Sequence, residues 1–166
     1  NAVWLLGPSG SGKSRLMSDC ATLTRRRLEP APLYLYGRCP AFEETRPCMP
    51  ILRLVERYLR LPSGTAPGAS QTEQLARLVP PRVATTLVQA LTPDFNGTTA
   101  IAVPTALAQW LVALGRSQAL LVFLDDVNFA DEASLSVLAR VAEELHGLRA
   151  TIVLGLREHE SAPNPA

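Results

Sequence analysis

Two kinds of stretch alternate along this chain: short unbroken apolar runs, and longer segments with an apolar residue every three or four positions. Ala2, Val3, Trp4, Leu5 and Leu6 form a run that stops at Gly7 and Pro8, the pattern of a strand buried on both faces. From Gly12 to Arg27 the spacing becomes helical, with Leu16, Cys20 and Leu23 as the apolar positions. Arg25, Arg26 and Arg27 close that helix at the end its dipole favours. Leu33 to Tyr36 reads as a second strand ended by Gly37. Pro47 and Pro50 then introduce a helix with Ile51, Leu54, Val55, Tyr58 and Leu59 on one face and Glu56 with Arg60 on the exposed side.

The second half repeats the alternation. Residues 62–70 are rich in Pro, Gly and Ser and read as a flexible loop. Helical pieces are predicted at about 72–79 and 81–91, with another loop over 92–99. A helix over 105–115 feeds a buried strand over 119–124 that ends in Asp125 and Asp126. Asp131 reads as the N-cap of a helix bearing Leu135, Leu138, Ala139, Ala142 and Leu145, with Gly147 just past its end. A last strand, 150–154, ends near Arg157. Strands alternating with helices predict an α/β fold with a parallel sheet and ligands at the carboxyl ends of the strands.

Composition and chain-wide features change the picture in several ways. The 166 residues, 47% apolar, suffice for one domain, 1–166. A formal charge of +1 provides no global field to recruit nucleic acid or an anionic membrane, so an anion must be held locally. No run reaches the ~18 apolar residues of a membrane span. The odd cysteine count, Cys20, Cys39 and Cys48, suits a reducing, cytoplasmic setting rather than a disulfide framework or zinc site. The first residue is Asn and the last six read as loop, so a segment of a longer protein is expected. Finally, fifteen of the sixteen basic residues are Arg, and the single Lys is Lys13, at a position where a compact ammonium is not replaceable by a planar guanidinium.

That lysine lies in the one motif with an explicit mechanism. Gly7, Pro8, Ser9, Gly10, Ser11, Gly12, Lys13 and Ser14 satisfy G-x-x-x-x-G-K-[ST] between a strand and a helix, the P-loop context. Glycines there let successive N–H groups turn inward on a phosphate chain at a helix N-terminus, and Arg15 continues the segment. Lys13 would reach the β- and γ-phosphates of ATP or ADP, and the Ser14 hydroxyl would join the shell of Mg²⁺. The competing reading, a Gly/Ser turn, explains neither the flanks nor the lysine. Asp125, at a strand end, would hold the Mg²⁺ through water, and Asp126 is either the base that activates an attacking water or support for it.

Other residues divide between a chemical and a plain reading. Arg157 could sense a γ-phosphate if its strand is parallel, or be surface charge; Arg38 follows the second strand similarly, and there surface charge is preferred. Arg25 to Arg27 read as a solvated helix end, so direct nucleic-acid binding is not expected. His146 and His159 lack a nucleophile at motif spacing, and Cys39 and Cys48 read as core or loop residues. Asn96-Gly97-Thr98 matches a glycosylation acceptor by coincidence in a reducing compartment.

With these motifs placed, the chain resembles the STAND-like, AAA-related ATPase domain of large bacterial signalling proteins: LuxR-type and SARP/BTAD-type transcriptional regulators and adenylate-cyclase-linked regulators. The likeness rests on residues 7–16, on Tyr36-Gly37-Arg38-Cys39 followed by Pro47-Cys48-Met49-Pro50, on the Asp125-Asp126-Val127-Asn128-Phe129-Ala130-Asp131 stretch, and on Leu154-Gly155-Leu156-Arg157. The family's usual His-Trp is Asn128-Phe129 here, and its base-contacting segment and helical lid have no counterpart. The resemblance implies an ASCE/AAA-like P-loop core truncated at both ends, acting as a slowly hydrolysing, Mg-dependent ATP switch that reports to attached effector domains; whether the nucleotide also governs self-association is left open by the sequence. A non-hydrolysing nucleotide-binding module is the alternative. A P-loop small-molecule kinase is more distant, for want of an acceptor-binding or Arg-rich lid segment.

Overall fold

The computed structural model describes residues 1–41, 46–93, 95 and 102–158. Strands β1 (Ala2–Gly7), β2 (Leu33–Arg38), β3 (Leu120–Asp125) and β4 (Ala150–Arg157) form one parallel sheet in the order β1-β4-β3-β2. Among the described residues six α-helices accompany them: α1 (Lys13–Arg27), α2 (Met49–Tyr58), α3 (Ala69–Ala76), α4 (Pro81–Leu91), α5 (Ala102–Ser117) and α6 (Glu132–Glu144). The α/β architecture expected from the alternation is the one present.

Because strand side chains alternate, the sheet supports two unequal cores. On one face α1 lays Met17 and Ala21 over Phe123, with Leu5, Tyr34, Tyr36, Leu121 and Val153 around them. On the other, Leu35, Val122, Leu124, Ile152 and Leu154 meet the larger cluster from the remaining helices, in which Ile51, Leu87, Leu107, Trp110 and Leu111 are fully buried. Tyr58 meets the Trp110 ring edge-on at 5.7 Å, while the Trp110 Nε1 has no hydrogen-bond partner among the described residues.

Several local expectations are corrected. Strand β1 is not buried on both faces: among the described residues it pairs with β4 alone, and Trp4 and Leu6 are 57% and 67% exposed. An apolar run marks a strand but does not say whether the strand is central or at an edge. The buried stripe of α1 is Lys13, Met17 and Ala21, at four-residue intervals, while Leu16, Cys20 and Leu23 face outward. In α6 the inward positions are Ser134, Val137, Leu138, Val141 and the following Leu145; Leu135 and Ala139 are exposed. Only one of two adjacent apolar faces can lie on the sheet, and contact with the sheet selects which.

Glu56 is buried rather than paired with Arg60. Its carboxylate faces Arg53 at 4.0 Å and accepts the Gly64 N–H at 3.1 Å, which ties the 62–68 turn to α2. Arg60 instead takes a left-handed conformation, φ 56°, beyond the helix end. Gly37 does not end β2. A Cβ there would stand 2.7 Å from Leu124 Cδ2 and 3.0 Å from Leu54 Cδ2, so the glycine lets α2 approach the sheet. Helix α3 starts earlier and α5 is longer at both ends than the periodicity indicates. Asn96, Gly97, Thr98 and His159 lie outside the described residues.

Candidate functional site

The turn between β1 and α1 is shaped by two left-handed glycines, Gly10 at φ 77° and Gly12 at φ 85°, a region closed to most side chains. Gly12 is the N-cap of α1 and offers no side chain to its free N–H groups, so those donors stay available to an anion. Lys13 follows and folds back over the loop. Its Nζ donates to Gly7 O at 2.7 Å, Pro8 O at 2.8 Å and Ser11 Oγ at 3.4 Å. All three ammonium donors are thus engaged inside the loop, which accounts for a lysine 9% exposed without a carboxylate partner.

Ser14, one residue on, donates its hydroxyl to Asp125 Oδ2. Asp125 ends the buried strand β3, and both of its oxygens are placed: Oδ1 accepts the Asp126 N–H at 2.9 Å. The opposite wall is Gly155 of β4, where a Cβ would come within 2.6 Å of Asp125 Oδ1 and 2.6 Å of Met17 Cε. The sequence marks Gly155 only as part of the Leu154–Arg157 stretch and not as a neighbour of Asp125; the pairing of β3 with β4 brings it there.

Asp126 departs from the strand in a left-handed conformation, φ 57°, and turns its buried carboxylate toward two arginines. Arg157 grips it with two bonds, Nε to Oδ1 at 2.7 Å and Nη2 to Oδ2 at 2.9 Å, and Arg38 Nε reaches Oδ2 at 2.8 Å. The Arg157 hydrogen bonds, opposed by burial and reinforced by Arg38, hold the Asp126 carboxyl below the usual carboxylate range. Both guanidiniums are pushed upward in turn by their bonds to Asp126.

The single 3₁₀ turn after Asp126, Val127–Phe129, fastens Arg157 again. Asn128 Nδ2 donates to Arg157 O at 2.9 Å, its Oδ1 accepts the Arg157 N–H at 2.7 Å, and the Phe129 ring lies 5.5 Å from the guanidinium carbon. Asp131 caps α6 as expected, accepting from Ser134 N at 2.8 Å and Ser134 Oγ at 2.7 Å. It also takes the Cys48 N–H at 3.2 Å, which anchors the start of α2. Burial, and then the Asp131 charge, push the Cys48 thiol up to about 12.

Of the residues singled out from the sequence, Ser9, Gly10, Ser11, Gly12, Lys13, Ser14, Arg15, Asp125, Asp126 and Arg157 border one cavity of about 260 Å³. Gly7 and Pro8 are absent from its wall and contribute carbonyls to Lys13. The Arg15 side chain faces solvent, 3.8 Å from Asp19. Arg38, discounted as surface charge, belongs to the wall: parallel pairing sets it opposite Asp125 in register, a neighbour relation that strand order fixes and local pattern does not. The Arg25 to Arg27 cluster lies elsewhere, with Arg25 stacked 5.1 Å over Tyr34.

Hard oxygen donors from Ser14 and Asp125 beside the uncapped N-terminus of α1 suit Mg²⁺ shared with phosphate oxygens. Among the described residues no group of three His, Cys, Asp or Glu side chains could hold a metal unaided, and Mg²⁺ bound through phosphates needs none. No helix of the described residues is long and apolar enough to cross a membrane. A family model described as AAA ATPase domain matches residues 1–154. No curated protein matches the chain.

Proposed function

Because the chain belongs to the AAA ATPase domain family, we propose that it is the Mg-dependent, slowly hydrolysing ATP switch of a multidomain signalling or transcription-regulatory protein in the cytoplasm. The observation that carries this is the Ser14–Asp125 hydrogen bond, which joins the phosphate loop to the end of β3 where a phosphate-bound cation would sit. In this reading Ser14 and Asp125 hold Mg²⁺, which offsets phosphate charge when bound. The N–H groups of residues 9–15 cradle the phosphates.

Lys13 exchanges its bonds to Gly7 and Pro8 for phosphate oxygens, replacing neutral acceptors by charged ones. A γ-phosphate competes with Asp126 for Arg157 and Arg38. When a guanidinium moves to phosphate, Asp126 is released to orient or deprotonate water, and the Asn128 clip passes the movement of β4 to the turn before α6. Hydrolysis removes the competitor and the clamp re-forms, giving two arrangements for attached effector domains, or a second copy, to read.

One observation favours the alternative, a nucleotide-holding module without turnover. Asp126, the other carboxylate in the cavity, is engaged by two arginines and held in its low-pKa form, a poor proton acceptor unless released. Phosphate release by the ATP-loaded protein separates the readings. The nucleotide site itself is tested by ATP and ADP binding with and without Mg²⁺, using the protein and Lys13→Ala. Mg-dependent binding lost in the variant is expected, and retained ATP affinity overturns the assignment.

A further inference from the structure

A second, larger cavity of about 640 Å³ opens at the opposite end of the sheet, between the α3–α4 turn and the last turns of α5 and α6. Helices α5 and α6 lead into the first residues of β3 and β4, whereas the phosphate loop follows the last residues of β1, so the two cavities do not overlap. Arg77, Arg82, Arg116 and Arg140 line the groove, and Glu144 is its one carboxylate. This local balance of +3 stands on a chain whose total is +1, so the rest of the molecule is net negative. The floor between the charges is apolar and includes half-buried Leu78 and Ala113.

Two of the arginines are already compensated. Arg77 pairs with Glu73 at 2.7 Å and Arg140 with Glu144 at 3.0 Å. Arg82 and Arg116 form no ion pair among the described residues. Arg116 has a local reason, since it closes α5 at the end that favours positive charge. Arg82 has none. It stands in the first turn of α4, where the helix dipole disfavours a cation, and no acidic residue accompanies it there. An anionic partner in the groove removes that cost.

We propose that this groove docks an acidic segment of a partner polypeptide, with carboxylates on Arg82 and Arg116 and an apolar side chain on Leu78 and Ala113. A nucleic acid fits less well. Its phosphates gain most from uncompensated charge, half of which is already neutralised here, and no aromatic ring lines the groove for a base to stack on. The inference does not depend on the nucleotide reading.

Fluorescence anisotropy provides the test, with a labelled Glu-rich peptide carrying interspersed leucines, its glutamine counterpart, and oligodeoxythymidine as probes. The protein should bind the acidic peptide in preference to the other two, and Arg82→Glu with Arg116→Glu should weaken that binding at least about tenfold. Arg25→Glu, Arg26→Glu and Arg27→Glu together should leave it unchanged. Should the reversal shift the melting transition, Arg82→Gln with Arg116→Gln replaces it. No binding of the acidic peptide, binding insensitive to the groove variants, equal loss in the Arg25–Arg27 variant, or preference for the oligonucleotide each overturns the proposal.

Discussion

Replacing Gly155 by alanine probes the narrowest point of the candidate site. The new methyl group would start 2.6 Å from Asp125 Oδ1 and 2.6 Å from Met17 Cε. The two contacts yield differently. Met17 Cε is the free end of a flexible side chain and can swing, whereas Asp125 Oδ1 is held by the Asp126 N–H and its sister oxygen by Ser14. Relief to ordinary contact at 3.4 Å moves the carboxylate by about 0.8 Å, several times the ~0.2 Å tolerance of a metal–ligand distance. Overpacking of this kind costs about 1–3 kcal/mol, which lowers Tm by about 3–10 °C in a domain of this size. Thermal melts and nucleotide titrations with and without Mg²⁺ measure both consequences. Adding Met17→Ala should not restore the Mg-dependent increment of binding, because it frees only the contact that already yields, and it lowers the Tm further by emptying a buried site. If Gly155→Ala keeps both its Tm and its Mg²⁺ response, the carboxylate is not confined as described and its assignment as a cation seat fails.

Two further predictions concern charge and capping. Asp126 has a folded pKa below its unfolded value of about 3.9, so its pairing stabilises the protein above that pH and is lost as pH falls through the folded value. Melting curves followed downward from about pH 4 should therefore decline more steeply for the protein than for Asp126→Asn, and parallel curves would refute the clamp. Asp131→Ala removes a cap and leaves the buried Ser134 hydroxyl without its acceptor, costing about 2–4 kcal/mol, or about 5–15 °C in Tm. An unchanged Tm would show that Cys48 and Ser134 find other partners.

What the sequence discloses, and what it withholds, follows from the range of the interactions involved. The phosphate loop is legible because its chemistry is local: two left-handed glycines, a lysine and a hydroxyl must follow one another on a strand-to-helix turn, and they do so at Gly10, Gly12, Lys13 and Ser14. The cap at Asp131 is local in the same sense. The inward faces of α1 and α6 are not, because Leu16 and Met17, or Leu135 and Val137, satisfy helical spacing equally well, and contact with the sheet selects between them. Edge exposure of β1 and the burial of Glu56 likewise depend on what lies alongside.

The same distinction divides the site itself. Asp125, Asp126 and Arg157 announce themselves as charges at strand ends, but the bonds that tie Asp126 to its arginines cross from one strand to another. Arg38 meets Asp126 across 88 positions of sequence, and Arg157 meets it across 31. Neither separation carries a periodic signal; both depend on the order β4-β3-β2, which sets three strand ends side by side. A buried carboxylate between two guanidiniums is therefore a property of topology. Once that topology is given, Asp126 stands as an internal anion in a cavity whose remaining charges, apart from Asp125, are cationic, and a phosphate entering the cavity must compete with it.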